Sequence, residues 1–279
     1  MSLGEEVRLS ALDAVLDDQL ESKGGLIDRA LHRPAPIETL AGDLFGVVDV
    51  LESSATLRRA LSDPGTPEEA RRGLAHAVLD GKVSKAAVQV VAEAAAIRWP
   101  GGRTFTAAIE RQAIRAELAK AEAAEQLEET EDELFRFARL VASSPGLREA
   151  LSDRSVDVRH RQDLVGDLLD GKVSDSTIVL ARRAVLGRER TFDHTVESYV
   201  NLAAEQKNRL MATVRVAAPL TEEQLARMRT ALSQQAGRPV FVQVVIDEQV
   251  LGGVQVEMGD EVIEGTVSNK LEGARRLFS

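Results

Sequence analysis

The sequence predicts a mainly α-helical protein ending in a small α/β domain: two tandem helical bundles followed by a βαββ-type unit. Three observations predict it. One stretch of chain recurs without a gap, both copies carry apolar residues at helical spacing, and after Asn208 the apolar spacing becomes alternating.

The recurrence comes first. Leu44-Phe45 returns as Leu134-Phe135, and Ser53-Ser54 as Ser143-Ser144. Ala60-Leu61-Ser62-Asp63 returns as Ala150-Leu151-Ser152-Asp153, and Leu79-Asp80-Gly81-Lys82-Val83-Ser84 as Leu169-Asp170-Gly171-Lys172-Val173-Ser174. Every match holds one offset, 134 − 44 = 90. Solenoid repeats run at about 20–50 residues, so this longer period marks duplication of a whole domain.

Each copy reads as helical. Leu44, Val47, Val48 and Leu51 follow the i, i+3, i+4, i+7 pattern, as do Leu134, Phe137, Ala138 and Val141. That spacing puts one apolar stripe on each helix. The first helix is expected to run past Leu57 and stop near Asp63-Pro64-Gly65. In Thr66-Pro67-Glu68-Glu69, Thr66 suits the N-cap, Pro67 the first helical position, and Glu69 a capping box. Gly81 can end that helix in a left-handed conformation and Ser84 can cap the next; Gly171 and Ser174 take the same roles in the second copy.

Trp99-Pro100-Gly101-Gly102 breaks the pattern, and Thr104 is expected to open a long Ala- and Glu-rich helix that the two bundles share or abut. No Ser/Gly-rich linker lies between them. The second copy closes on a helix bearing Phe192, Val196, Tyr199, Val200 and Ala203. Ala212, Val214 and Val216 then alternate as a strand. Thr221 and Gln224 form a candidate capping box on the helix that follows. Further strands are expected at Val240–Ile246, at Val254–Met258 and from Val262-Ile263. Gly259-Asp260 makes the last turn, and a terminal helix is expected over Ser268–Phe278. The domains are thus 1–104, 105–207 and 208–279.

Composition narrows the function. Of 279 residues, 44% are hydrophobic but only 3% aromatic, so Leu, Val, Ile and Ala must build the core. The absence of cysteine excludes disulfides, thiolate metal sites and cysteine nucleophiles. A net charge of −10 opposes general nucleic-acid binding, which needs clustered Lys and Arg. No apolar run approaches the about 18 residues of a membrane helix, so membrane association is expected only through a partner.

No catalytic, cofactor-binding or metal-binding residue stands out. His32, His76, His160 and His194 are scattered without ligand spacing. Asp80-Gly81-Lys82-Val83-Ser84 lacks the upstream glycine and preceding strand of a phosphate loop, and its duplication points to helix capping. Leu251-Gly252-Gly253 has no helix directly after it, so a tight turn fits better than phosphate binding. A phosphate-binding transferase using Gly252-Gly253 with Lys82 or Lys172 is the enzyme alternative. Glu122 to Glu133 holds seven acidic residues and no basic one, the signature of a solvated face or of one turned to a basic partner. Arg71-Arg72 and Arg275-Arg276 suit helix surfaces or protein contacts.

The tail carries a more specific pattern. Ile246-Asp247-Glu248-Gln249-Val250-Leu251-Gly252-Gly253, then Met258-Gly259-Asp260-Glu261-Val262-Ile263-Glu264-Gly265-Thr266-Val267, then Lys270-Leu271, resembles the C-terminal signature of the delta subunit of F-type ATP synthase, the OSCP family. Its motif positions here are Asp247, Leu251, Gly252, Gly253, Gly259, Asp260, Gly265 and Thr266. The family often has Pro where this chain has Glu248. Pro145-Gly146-Leu147-Arg148, Leu151-Ser152-Asp153 and Gly171-Lys172-Val173-Ser174 resemble the family's N-terminal helical domain. Residues from about 105 onward are thus similar to one ordinary delta subunit, preceded by an extra helical copy, as in long actinobacterial forms.

The resemblance implies a non-catalytic peripheral-stalk subunit with no cofactor, at the cytoplasmic face of a bacterial cell membrane. It implies two partners: N-terminal segments of the ATP synthase α subunits, held by a helical domain, and the b subunit or a b-like subunit, held by the C-terminal domain. Such a stator resists rotor torque. The alternative from the residues alone is an unrelated helical adaptor that captures amphipathic helices.

Overall fold

A computed structural model describes residues 3–21, 36–187, 191–207, 210–217, 220–236, 240–246, 253–258 and 261–266. The chain divides into two compact units, Met1–Lys207 and Asn208–Ser279.

Eleven described helices make up the first unit. They are α1 (Leu3–Glu21), α2 (Pro36–Ser53), α3 (Ala55–Ser62), α4 (Glu68–Leu79), α5 (Lys85–Ala96), α6 (Gly102–Ala123), α7 (Leu127–Ser143), α8 (Pro145–Ser152), α9 (Val158–Leu169), α10 (Asp175–Ala184) and α11 (Phe192–Lys207). Across the repeat offset, α2 through α6 correspond in order to α7 through α11.

Helix α6 belongs to both copies. It packs against α1, α2 and α5 on one side of the repeat and against α7, α10 and α11 on the other. It therefore closes the first bundle and opens the second, where it takes the place that α1 holds in the first. The expected division at residues 104 and 105 lies inside it. Its sequence explains how one helix serves two bundles. Phe105, Ile109, Ile114 and Leu118 are buried together with Ala108, Ala113, Ala116, Ala119 and Ala121. Alanines let neighbouring helices approach closely, and the charged side chains that α6 buries beside them, Arg115 and Glu117, are paired across to Asp17 and Ser176. One continuous apolar core consequently runs from Leu9 to Ala203 through both copies.

The helix boundaries correct three expectations. The first-copy helix does not run past Leu57: α2 ends at Ser53, and Ser54, extended at φ −119°, accepts the Leu57 N–H to cap a new helix. Thr66 does not cap α4. Pro67 holds the cap position without a side-chain bond, and the Thr66 hydroxyl bonds Asp63 instead at 3.3 Å. Arg71 is no surface residue, being only 2% exposed. It donates to the carbonyls of Ala95 and Ala96 at the end of α5 and to those of Asp63 and Thr66. A cation at orphan C-terminal carbonyls complements the helix dipole.

The end of α6 carries no sequence signal. Glu125 adopts φ 60°, Glu125 N–H bonds the Glu122 carbonyl, and Gln126 N–H bonds that of Ala121. This is a Schellman stop without the usual glycine.

In the second unit, β1 (Leu210–Val216), α12 (Glu222–Ala236), β2 (Val240–Ile246), β3 (Gly253–Met258) and β4 (Glu261–Thr266) form one helix on a four-stranded sheet of order β2-β1-β3-β4. β1 and β2 run parallel, joined through α12, while β1–β3 and β3–β4 are antiparallel. Ala212, Val214 and Val216 alternate onto the buried face, with Val240, Val242, Val256 and Leu232. Thr221 and Gln224 exchange hydrogen bonds as a capping box, at 2.8 and 3.3 Å. The expected helix at Ser268–Phe278 lies outside the described residues.

Candidate functional site

The polar side chains that matter most are those at the joint between the copies. Arg183, on α10, is 6% exposed and reaches out of the second copy into the first. Its guanidinium lies 4.9 Å from the ring centre of Phe45, donates to Asp49 at 2.7 Å and to Glu110 at 2.7 Å. Burial works to lower its pKa, but Glu110 and Asp49 more than offset this, leaving it above its ordinary value. A guanidinium over an aromatic face, pinned by two carboxylates, fixes both distance and rotation between helices. No sequence signal marks this cluster, because its residues lie far apart along the chain.

A second polar seam ties α1 to the shared helix. Asp13 accepts from Arg111 and from Gln112, and it pairs with Arg115 at 2.9 Å. Arg115, itself 3% exposed, also pairs with Asp17 at 2.9 Å. Further along α6, Glu117 accepts from Ser176 at 2.8 Å, and Glu122 accepts from Gln206 at 2.6 Å. Burial raises the Glu122 pKa; the Gln206 bond lowers it and the nearby Asp17 raises it, for a net upward shift.

The repeat caps sit at equivalent corners. Gly81 and Gly171 have φ of 74° and 64°, and each ends its helix. Ser84 Oγ accepts the Ala87 N–H and Ser174 Oγ that of Thr177. Lys172 donates to the Leu168 carbonyl, and a helix, not a strand, precedes each Gly-Lys-Val-Ser turn, so these turns serve helix ends rather than a phosphate loop.

Much of the acidic stretch is engaged within the chain. Besides Glu122, Glu128 and Glu131 meet Lys207, and Glu133 meets Ser174 and Thr177. Of the tail motif, the structure pairs Gly253 with Thr266 and Val254 with Gly265 at the open end of the β3–β4 hairpin. Asp247, Leu251, Gly252, Gly259 and Asp260 lie outside the described residues.

A groove of about 590 Å³ runs between α6 and α11, floored by Ala107, Ile114, Tyr199 and Leu202 and edged by Glu110 and Glu205. Among the described residues no His, Asp or Glu side chains gather to hold a metal, and no helix is long and apolar enough to cross a membrane. His76 and His194 stand beside Asp80 and Glu197 on exposed helix surfaces. The buried charges of this unit, Arg71, Arg115, Glu117 and Arg183, bind helix to helix.

These features define a helical protein whose buried polar side chains serve its own packing: a doubled helical array built on one common helix, followed by a small α/β unit. The profile described as "ATP synthase delta (OSCP) subunit" matches residues 115–277. An ATP synthase subunit delta from Kineococcus radiotolerans is 40% identical over 272 residues, covering 97% of this chain and 95% of its own length. Those of Parafrankia sp. and Nocardioides sp. are 40% and 37% identical, covering 96% and 98% of this chain and 94% and 98% of their own. The chain belongs to the ATP synthase delta (OSCP) subunit family, whose members are structural rather than catalytic subunits. The profile begins inside α6 and takes in the second copy and the tail; the long relatives extend over the first copy as well.

Proposed function

We propose that this chain is a peripheral-stalk subunit of an F-type ATP synthase. It links the N-terminal segments of the α subunits, on the catalytic head, to the b or b-like subunit of the membrane sector. It works at the cytoplasmic face of a bacterial cell membrane and holds the head against rotor torque. Family membership supports the assembly. The observation that carries the mechanical role is α6, one helix built into both bundles. A hinge between copies would absorb torque as bending, whereas a common helix with a continuous core passes load from bundle to bundle.

In this reading residues 105–207 act as the delta N-terminal type domain, residues 1–104 as an extra copy, and residues 208–279 grip the b subunit.

The test mixes the full chain with two peptides of the same organism, the N-terminal segment of the α subunit and the C-terminal segment of the b subunit. Both should bind, and deleting residues 208–279 should abolish binding of the b peptide while sparing that of the α peptide. If neither peptide binds at about micromolar concentration, the reading fails.

A further inference from the structure

Arg71 and Arg161 stand at equivalent positions of the two copies, 161 − 71 = 90, yet they hold their surroundings differently. The Nε–Nη2 edge of Arg71 donates to the carbonyls of Ala95 and Ala96, and its Nη1 takes those of Asp63 and Thr66. Arg161 uses Nη1 on the Leu151 carbonyl at 3.1 Å. Its Nε is buried, and among the described residues neither Nε nor Nη2 meets an acceptor. The cause is the end of α10. The counterpart of Ala96, the last residue of α5, is Leu186, but α10 stops at Ala184. The chain then turns tightly, with Leu186 N–H on the Arg183 carbonyl at 2.9 Å and Gly187 N–H on that of Ala184 at 3.0 Å. Val185 and Leu186 thus do not give Arg161 the pair of carbonyls that Ala95 and Ala96 give Arg71.

A cavity of about 830 Å³ opens at this corner, with Arg161, Val185 and Leu186 in its wall. The other wall residues change the charge of the corner. Arg154 stands where the first copy has Pro64, His194 where it has Thr104, and apolar Val158 where it has Glu68. Among the described residues no Asp or Glu lines the cavity. The carboxylates close by in sequence are turned to their own neighbours: Asp153 accepts from Ser155, Asp193 from Thr191, and Glu197 stands beside His194. Arg154 is exposed and has no partner among the described residues. The corner that is closed and clamped in the first copy is therefore open and cationic in the second.

We infer that this cavity binds a small organic phosphate, with the phosphate on the unfilled edge of Arg161 beside Arg154 and the apolar body against Val158 and Phe192. A guanidinium edge pairs with an oxyanion through two parallel N–H···O bonds, so the phosphate supplies the two acceptors that the end of α5 supplies to Arg71. Two arginines and a histidine in one wall favour a doubly charged head over a carboxylate. The volume falls within the range of small-molecule sites, about 300–1,000 Å³.

The test is calorimetric titration of the full chain at about pH 7.5, where a phosphate monoester is close to doubly charged. The probes are phenyl phosphate, inorganic phosphate and phenylacetate. Phenyl phosphate should bind at one site per chain, at least about tenfold tighter than either of the other two. Arg161→Gln should raise its Kd by about tenfold or more and Arg154→Gln by about threefold. Arg59→Gln, at an exposed arginine of the first copy, should leave it unchanged. Should Arg161→Gln not fold, Arg154→Gln decides, since its side chain is exposed and makes no contact that holds the fold. In the wild-type chain phenyl phosphate should slow hydrogen exchange at the end of α8 and the start of α11 while leaving α4 and α5 unchanged. No binding of phenyl phosphate below about 10 mM, equal affinity for inorganic phosphate or phenylacetate, a Kd indifferent to Arg154→Gln, or protection spread over both copies overturns the inference. The test needs only the free chain, so its failure leaves the stalk reading untouched.

Discussion

The Asp43 carboxylate accepts the backbone N–H of Ser84 at 2.9 Å, and Glu133 accepts that of Ser174 at 3.0 Å, so one tie between the first helix of the repeat and the cap of the fourth is built twice. The copies solve it with different reach. Among the described residues Asp43 makes this single bond, while Glu133 also accepts from the Ser174 hydroxyl at 2.9 Å and the Thr177 hydroxyl at 2.7 Å. Removing a carboxylate strands each donor it served. Glu133→Ala should therefore destabilise the chain by about 2 kcal/mol and Asp43→Ala by about 1 kcal/mol. Denaturant unfolding of the two variants checks the order; equal losses would contradict it.

Arg183 is a sharper case because it is buried across the joint. Arg183→Ala uncovers Phe45 and takes away the guanidinium that pairs with Asp49 and with Glu110. Breaking one partner of such a cluster costs about 3 kcal/mol. Hydrogen exchange should quicken in α2 around Phe45 and Asp49 and stay unchanged in α7, whose Phe135 has no such cover. Uniform acceleration across both helices would show that the residue acts on the whole fold rather than at the joint.

The two clamping arginines should differ as well. Arg71 spans four carbonyls, whereas among the described residues its counterpart Arg161 donates to Leu151 O alone and its buried Nε has no partner. A lysine cannot copy a planar fork. Arg71→Lys should lower stability by about 3 kcal/mol and Arg161→Lys by about 1 kcal/mol, read from paired melting curves.

Local rules reach some of these features and not others. The Gly81 and Gly171 stops, the Ser84 and Ser174 caps and the Thr221–Gln224 box are legible because each is written within a few residues. The strands at 240–246 and 253–258 are legible because alternation is a short-range signal. The joint is different: Phe45, Asp49, Glu110 and Arg183 span 138 residues of sequence (183 − 45), and no motif links them. Arg71 reads as half of a surface basic pair because nothing local marks it as the filler of a gap beneath α5. The stop at Glu125 is hidden since glutamate rarely takes positive φ. The repeat exposes the joint's consequence only once burial of equivalent residues can be compared.

Gly81 and Gly171 also separate strain from packing. A Cβ built on either would meet nothing within 4 Å, so substitution acts through backbone conformation alone. Gly81→Val and Gly171→Val should each cost about 1 kcal/mol or somewhat more. Unchanged melting curves for both would remove the left-handed stop as a source of stability.

Glu122 gives the fold a pH dependence of definite sign. Its folded pKa lies above the ordinary 4.5, chiefly through burial and despite the hydrogen bond from Gln206. Between the ordinary value and the raised one, the folded state binds more protons than the unfolded state. Stability contributed by this group is therefore full below pH about 4.5 and is lost as pH rises through the folded pKa. At neutral pH the ionised carboxylate is a burden, with Asp17 adding repulsion. Glu122→Gln keeps an acceptor for Gln206 Nε2 and cannot ionise. It should stabilise the chain at about pH 7, flatten the fall in stability above about pH 4.5, and be nearly silent at about pH 4. Unfolding free energies measured from about pH 4 to about pH 8 on both proteins decide it, and a variant less stable than wild type at neutral pH would reverse the assignment.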